Sequence, residues 1–80
     1  MVKIKGQSGL EHEIHSYKGE HLELVYDSPL KLENVLEAVS IMLDIGAKRA
    51  TINLKKPMEY SEEVKKFLKM FNIEVKQYSQ

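Results

Sequence analysis

The sequence predicts an α+β fold, a two-layer sandwich in which a mixed sheet of about five strands packs against two helices on one face. Short segments alternate apolar and polar residues, as half-buried strands do, and two longer segments repeat apolar residues at helical spacing. These elements follow the order β-β-β-α-β-α-β. Because crossovers between parallel strands are right-handed, this order places both helices on one side of the sheet.

Composition limits the class of protein. The 80 residues are 42% hydrophobic and 30% charged, which predicts one globular domain over residues 1–80. The absence of cysteine excludes disulfides and thiolate metal sites. No segment is long and apolar enough for a membrane span or a signal peptide. We therefore expect a cytoplasmic protein without a membrane partner, and its small core favours a homodimer.

The N-terminal part predicts a strand followed by a hairpin. Residues 2–5 alternate valine and isoleucine with lysine, and the glycine-containing segment 6–9 ends this strand. Residues 10–16 and 20–26 then form the two arms of a hairpin around residues 17–19.

The register of this hairpin follows from its loop. A three-residue loop with Gly19 in the left-handed conformation pairs Ile14 with Leu22 and His12 with Leu24. The apolar residues then share one face, as a sheet with one buried side requires. A two-residue loop would turn Ile14 to the opposite face, and we reject it on that ground.

Two helices are delimited by start and stop residues. Ser28 as N-cap and Pro29 in the first turn predict the start of the first helix, and Gly46 predicts its end. Ser61 caps the second helix, which Asn72 ends. A strand follows each helix. The face of the sheet away from the helices is predicted to carry polar side chains: Glu13, His15, His21, Glu23, Thr51, Asn53, Lys55, Glu74, Lys76 and Tyr78.

The charges are unevenly distributed along the chain. Residues 1–44 hold four lysines and eight acidic residues, whereas residues 45–80 hold eight basic and four acidic residues. The overall net charge of zero argues against indiscriminate binding to nucleic acid. It permits a local basic patch or head-to-tail contact between copies of the chain.

A basic corner is the first candidate site. Lys48 and Arg49 precede the strand over residues 50–54, and Lys55 and Lys56 follow it. Lysines at a strand end beside a helix N-terminus suit a phosphate backbone, so these four residues are predicted nucleic-acid contacts. The alternative is a solvated basic surface that contributes solubility.

The hairpin histidines are the second candidate. In the predicted register, His15 lies opposite His21 and Glu13 opposite Glu23, with β-carbons about 5 Å apart. Two imidazoles and a carboxylate at that spacing could hold a metal ion. The alternative is an exposed strand pair whose histidines titrate independently near neutral pH.

Nothing in the sequence indicates catalysis. No serine lies in a nucleophile-elbow context, and Ser28 and Ser61 are explained as helix caps. Gly6 and Gly9 do not lead into a helix, so they do not form a phosphate-binding loop. We therefore expect a non-enzymatic binding module without a cofactor. Its partner is nucleic acid or, alternatively, a protein or a second copy of the chain. The alternative function is that of a small metal-dependent or pH-responsive protein that uses His15 and His21.

Residues 24–78 resemble the Alba family of archaeal chromatin and RNA-binding proteins. The resemblance lies in Pro29, residues 35–43, Gly46, residues 50–54 and residues 73–76. It implies the βαβαβ part of the topology and nucleic acid as the partner.

Two pairs of residues show where the chain matches the Alba family and where it differs from it. Lys55 and Lys56 fall where the basic loop of the Alba family begins. Asp27 and Ser28 stand where that family has a pair of lysines.

Overall fold

The computed structural model describes residues 2–56 and 59–77. They form a five-stranded mixed sheet and two helices in the predicted order, which confirms the α+β fold. In chain order the elements are β1 (Val2–Lys5), β2 (Glu11–Lys18), β3 (His21–Tyr26), α1 (Leu32–Ile45), β4 (Arg49–Leu54), α2 (Glu62–Met70) and β5 (Ile73–Gln77). No helix in the described segments is long and apolar enough to cross a membrane.

Strand order in the sheet is β1-β2-β3-β4-β5, the same as strand order in the chain. β1, β2 and β3 pair antiparallel, whereas β3, β4 and β5 pair parallel through α1 and α2. The unequal charge of the two halves of the sequence therefore becomes a difference between two sides of the molecule. The acidic half builds the β1–β3 side, and the basic half builds the β4–α2–β5 side.

A single apolar core joins the sheet to both helices. Alternate residues of β3 and β4 face the helices, as expected for a sheet covered on one side. The buried apolar residues of this core are Leu22, Leu24, Tyr26, Leu30, Val35, Ala38, Val39, Met42, Ala47, Ala50, Ile52, Leu54, Val64, Leu68 and Ile73.

The predicted hairpin register is wrong. β2 and β3 are joined by the two-residue turn of Gly19 and Glu20, with Gly19 at φ 64°, the first turn position that favours glycine. Ile14 pairs with Leu24 rather than Leu22, and the register shifts at His15. This β-bulge adds one residue to β2, so Ile14 keeps its place on the helix-facing side despite the short turn.

The first helix starts later than predicted. α1 begins at Leu32 rather than after Ser28, because the buried Leu30 holds the preceding segment against the core. The side chain of Asn34 accepts a hydrogen bond from the Lys31 amide at 2.9 Å. The side chain that accepts from the backbone amide at the helix start thus belongs to a residue inside the helix.

The other predicted helix boundaries are confirmed. Gly46 ends α1 in the left-handed conformation, with φ 81°. Ser61 caps α2 by accepting a hydrogen bond from the Val64 amide at 3.2 Å. Asn72 follows α2 in the left-handed conformation, at φ 59°.

The second sheet face is formed by rows of paired residues. Seven of the predicted residues lie in these rows: Glu13, His21, Glu23, Thr51, Asn53, Glu74 and Lys76. The rows also include Val25, which is buried although both helices of the described residues pack on the other face. Lys55 follows β4 and donates its amide hydrogen to the Tyr26 carbonyl oxygen at 3.0 Å. His15 lies in the bulge, and Tyr78 lies outside the described residues.

Candidate functional site

The four residues of the predicted basic corner do not form one corner. Lys48 and Arg49 lie at the amino end of β4, and Lys55 and Lys56 at its carboxyl end. At about 3.3 Å per residue, this six-residue strand separates the two pairs by roughly 20 Å. The pairs are therefore two separate candidates.

The carboxyl end of β4 has acidic surroundings. Lys56 Nζ lies 3.8 Å from Asp27 Oδ1. α2 starts at this end of the sheet, and its first turn carries Glu62 and Glu63. The carboxylates of Glu62 and Glu63 repel a phosphate, and they already interact favourably with the positive end of the α2 dipole. The predicted phosphate site at Lys55 and Lys56 therefore has weak electrostatic support.

The amino end of β4 has the opposite character. A notch of about 570 Å³ opens there, lined by Lys48, Arg49, Lys69, Asn72, Ile73 and Glu74; we call it the basic notch. Each of its three cations is exposed at the surface. Lys69 was not among the four predicted nucleic-acid contacts, so the structure adds this residue to Lys48 and Arg49.

Pairing within the notch leaves two cations uncompensated. Lys48 Nζ lies 3.6 Å from Glu20 Oε1, and the Glu74 carboxylate lies 3.8 Å from Lys76 Nζ. Among residues 2–56 and 59–77, Arg49 and Lys69 form no salt bridge. An exposed guanidinium and an exposed ammonium are thus available to an anion.

The backbone fixes the walls of the notch. The amides of Lys48 and Arg49 both donate to the Glu20 carbonyl oxygen, at 2.9 and 3.3 Å. On the other wall, the Ala50 amide donates to the Asn72 carbonyl oxygen at 3.2 Å. Asparagine tolerates the left-handed conformation that Asn72 adopts, and this turn leads from the Lys69 end of α2 into β5.

A row of basic residues continues from the notch across the sheet. Arg49 pairs with His21 on β3, and His21 pairs with Lys18 on β2. His21 Nε2 lies 2.7 Å from Thr51 Oγ1, which orients the imidazole. Lys18 was predicted to lie in the hairpin loop, so the sequence did not predict this row.

The residues of the predicted metal site are not arranged as expected. His21 pairs with Lys18, Glu13 with Val25 and Glu23 with Ser16, so neither predicted opposition exists. His15 lies apart, in the bulge. No group of three or more histidine and acidic residues that could hold a metal ion occurs in the described part of the chain. The shorter turn is the physical reason, because it shifts every cross-strand pair near the loop.

A polar network under the β1–β2 loop was not predicted at all. His12 is fully buried, with Nδ1 2.5 Å from the Tyr26 hydroxyl and Nε2 2.8 Å from Glu37 Oε1. Ser8 donates to the same Glu37 carboxylate from its hydroxyl at 2.7 Å and from its amide at 2.8 Å. Gly6 packs so closely on this carboxylate that a Cβ there would overlap it.

The network holds Glu37 in its ionised form. Hydrogen bonds from the Ser8 side chain, His12 and the Ser8 amide lower the pKa of Glu37 from 4.5 to about 2. An ionised carboxylate only accepts, so Nε2 of His12 donates to it, while Nδ1 shares a hydrogen bond with the Tyr26 hydroxyl. Burial, and secondarily the Glu37 charge, raise the pKa of Tyr26 far above 10.

This network has a structural role. His12 and Tyr26 are 0% and 2% exposed, so a substrate cannot reach either group. The network instead joins the β1–β2 loop to β2, β3 and α1. A signal existed in the sequence, since a histidine occupies a helix-facing position of β2 and requires a polar partner.

Comparison with known proteins adds no further information. No protein-family model, no curated protein and no solved structure matches this chain. The resemblance to the Alba family stays a prediction from the sequence.

Proposed function

We propose that this protein is a binding module for nucleic acid that contacts the phosphate backbone with Lys48, Arg49 and Lys69. The observation that carries the proposal is the basic notch, where two of three exposed cations have no acidic partner among the described residues. Arginine and lysine are the side chains that contact phosphate oxygens most often.

The distribution of charge supports the same side of the molecule. Residues 45–80 carry eight basic and four acidic residues, and this segment builds the β4–α2–β5 side. A polyanion is therefore attracted to one side and repelled by the other, although the net charge is zero. Lys18, which follows His21 in the row that starts at Arg49, extends the cationic surface beyond the notch.

Two matched double variants test the site. Arg49→Glu with Lys69→Glu reverses the notch, whereas Lys55→Glu with Lys56→Glu makes the same change in net charge at the other end of β4. We expect the notch variant to abolish binding of a fluorescein-labelled single-stranded oligonucleotide in an anisotropy titration. The control variant should keep most of the affinity, because its charges lie about 20 Å away.

Salt dependence provides a second measurement. Three phosphate contacts to a single strand predict that log K falls against log salt concentration with a slope of about −2. Affinity that is independent of salt, or equal loss in both double variants, would contradict nucleic-acid binding at the notch. Absence of binding by the wild type would leave a protein partner as the alternative.

A further inference from the structure

An apolar groove adjoins the basic notch. It lies between the C-terminal ends of α1 and α2 and has a volume of about 400 Å³. Its apolar lining residues are Val39, Met42, Leu43, Ala47, Met70 and Phe71. Lys48 and Asn72 line both the groove and the notch, so the two depressions are continuous.

Two apolar residues of the groove are exposed to solvent and do not belong to the buried core. Leu43 is 75% and Met70 58% exposed, one on each helix. Their neighbours Val39 and Met42 are buried and form the floor. Paired apolar side chains at the mouth of a groove are typical of a surface that contacts a ligand.

The groove also has an aromatic wall. Phe71 is half-buried and stacks on Phe67 with ring centroids 6.3 Å apart and an interplanar angle of 12°. The Phe71 amide donates to the Phe67 carbonyl oxygen at 3.1 Å, which fixes the backbone at the end of α2. The wall is therefore preorganised for a flat apolar ligand, and the flexible thioether of Met70 can adapt to it.

We propose that the ligand is a single-stranded nucleic acid, with one unpaired base in the apolar groove and the flanking phosphates on the basic notch. This inference rests on the proposed function and specifies its substrate class. Cations beside an apolar and aromatic surface match the alternation of phosphate and base along a single strand. A duplex keeps its bases stacked inside and offers only phosphates to such a site.

Three probes of equal length test the proposal by anisotropy: a single strand, its duplex, and a single strand with abasic sites throughout. We expect the intact single strand to bind roughly tenfold more tightly than the abasic strand, as loss of one stacking contact predicts. The duplex should also bind more weakly than the intact strand.

Variants at the groove separate the two proposals. Leu43→Ser with Met70→Ser changes only exposed side chains and should lower affinity for the intact strand to that for the abasic strand. It should leave abasic binding and the salt slope unchanged. Leu36→Ser is the matched control, because Leu36 is a 44% exposed leucine two turns before Leu43 on α1.

Each result has a defined meaning. Equal affinity for intact and abasic strands, or for single strand and duplex, would overturn the base site while leaving phosphate binding at the notch intact. No binding of any of the three probes would overturn both proposals. Binding to anionic phospholipid vesicles that needs Leu43 and Met70, without oligonucleotide binding, would assign the groove to lipid.

Discussion

Three hydrogen bonds converge on the carboxylate of Glu37. It accepts hydrogen bonds from the Ser8 hydroxyl, the Ser8 amide and His12, and Gly6 packs directly on it. These contacts fasten the β1–β2 loop to α1. Because hydrogen bonds to a charged group contribute about 1.5–3 kcal/mol each, the carboxylate contributes to the stability of the fold.

The lowered pKa of Glu37 predicts how stability depends on pH. Its pKa of about 2, against 4.5, means that its contribution is complete above pH 4.5 and is lost as pH falls toward 2. Glu37→Gln should reduce the free energy of unfolding at pH 7 by about 1.5–3 kcal/mol. It should also flatten the decline of stability between pH 4.5 and 2, as urea unfolding at a series of pH values would show.

Glu33→Gln is the control for this experiment. Glu33 is an exposed acidic residue in the first turn of the same helix, so its removal should leave the pH dependence nearly unchanged. An acid decline of the same slope in Glu37→Gln and in the wild type would contradict the assigned role of the network.

At the scale of elements, local signals predicted most of the fold. Gly46 and Ser61 act within one turn of their own positions, and the alternation in β4 reflects burial of one strand face. The errors involve interactions between segments. The start of α1 depends on the burial of Leu30 in the core. The hairpin register depends on a bulge at His15 that the local sequence does not predict.

The candidate site was also predicted only in part: neighbouring residues were found from the sequence, and a residue from a distant segment was not. Lys48 and Arg49 were predicted because they are adjacent in the sequence. Lys69 joins them only because α2 returns its C-terminal end to the amino end of β4. The predicted opposition of the metal-site residues is absent because it depended on a three-residue loop, and the two-residue turn shifts the register.

The bulge itself predicts the effect of a deletion. Removing His15 leaves a regular two-residue hairpin in which Ile14 still pairs with Leu24 on the helix-facing side. The free energy of unfolding should change by less than about 1 kcal/mol in urea titrations.

Deletion of Glu13 is the matched control. It removes one residue on the other side of the bulge, so a regular ladder would turn Ile14 outward and His15 inward. The loss of stability should be roughly 2 kcal/mol. Equal effects of the two deletions would contradict the bulged register.

The whole molecule has one acidic and one basic side because its strands follow chain order. A neutral protein of this kind is expected to attract a polyanion in one orientation only. The proposal therefore predicts where on the surface a polyanion binds as well as how tightly it binds.

Mapping of amide chemical shifts during titration with a single-stranded oligonucleotide tests this claim most directly. We expect the shifts to concentrate at residues 47–49 and 69–74, around the basic notch and the apolar groove, and to weaken as salt rises. Shifts concentrated at Glu11, Glu13 and Glu23 of the β2–β3 hairpin or around Lys55 and Lys56, or no shifts at all, would contradict it.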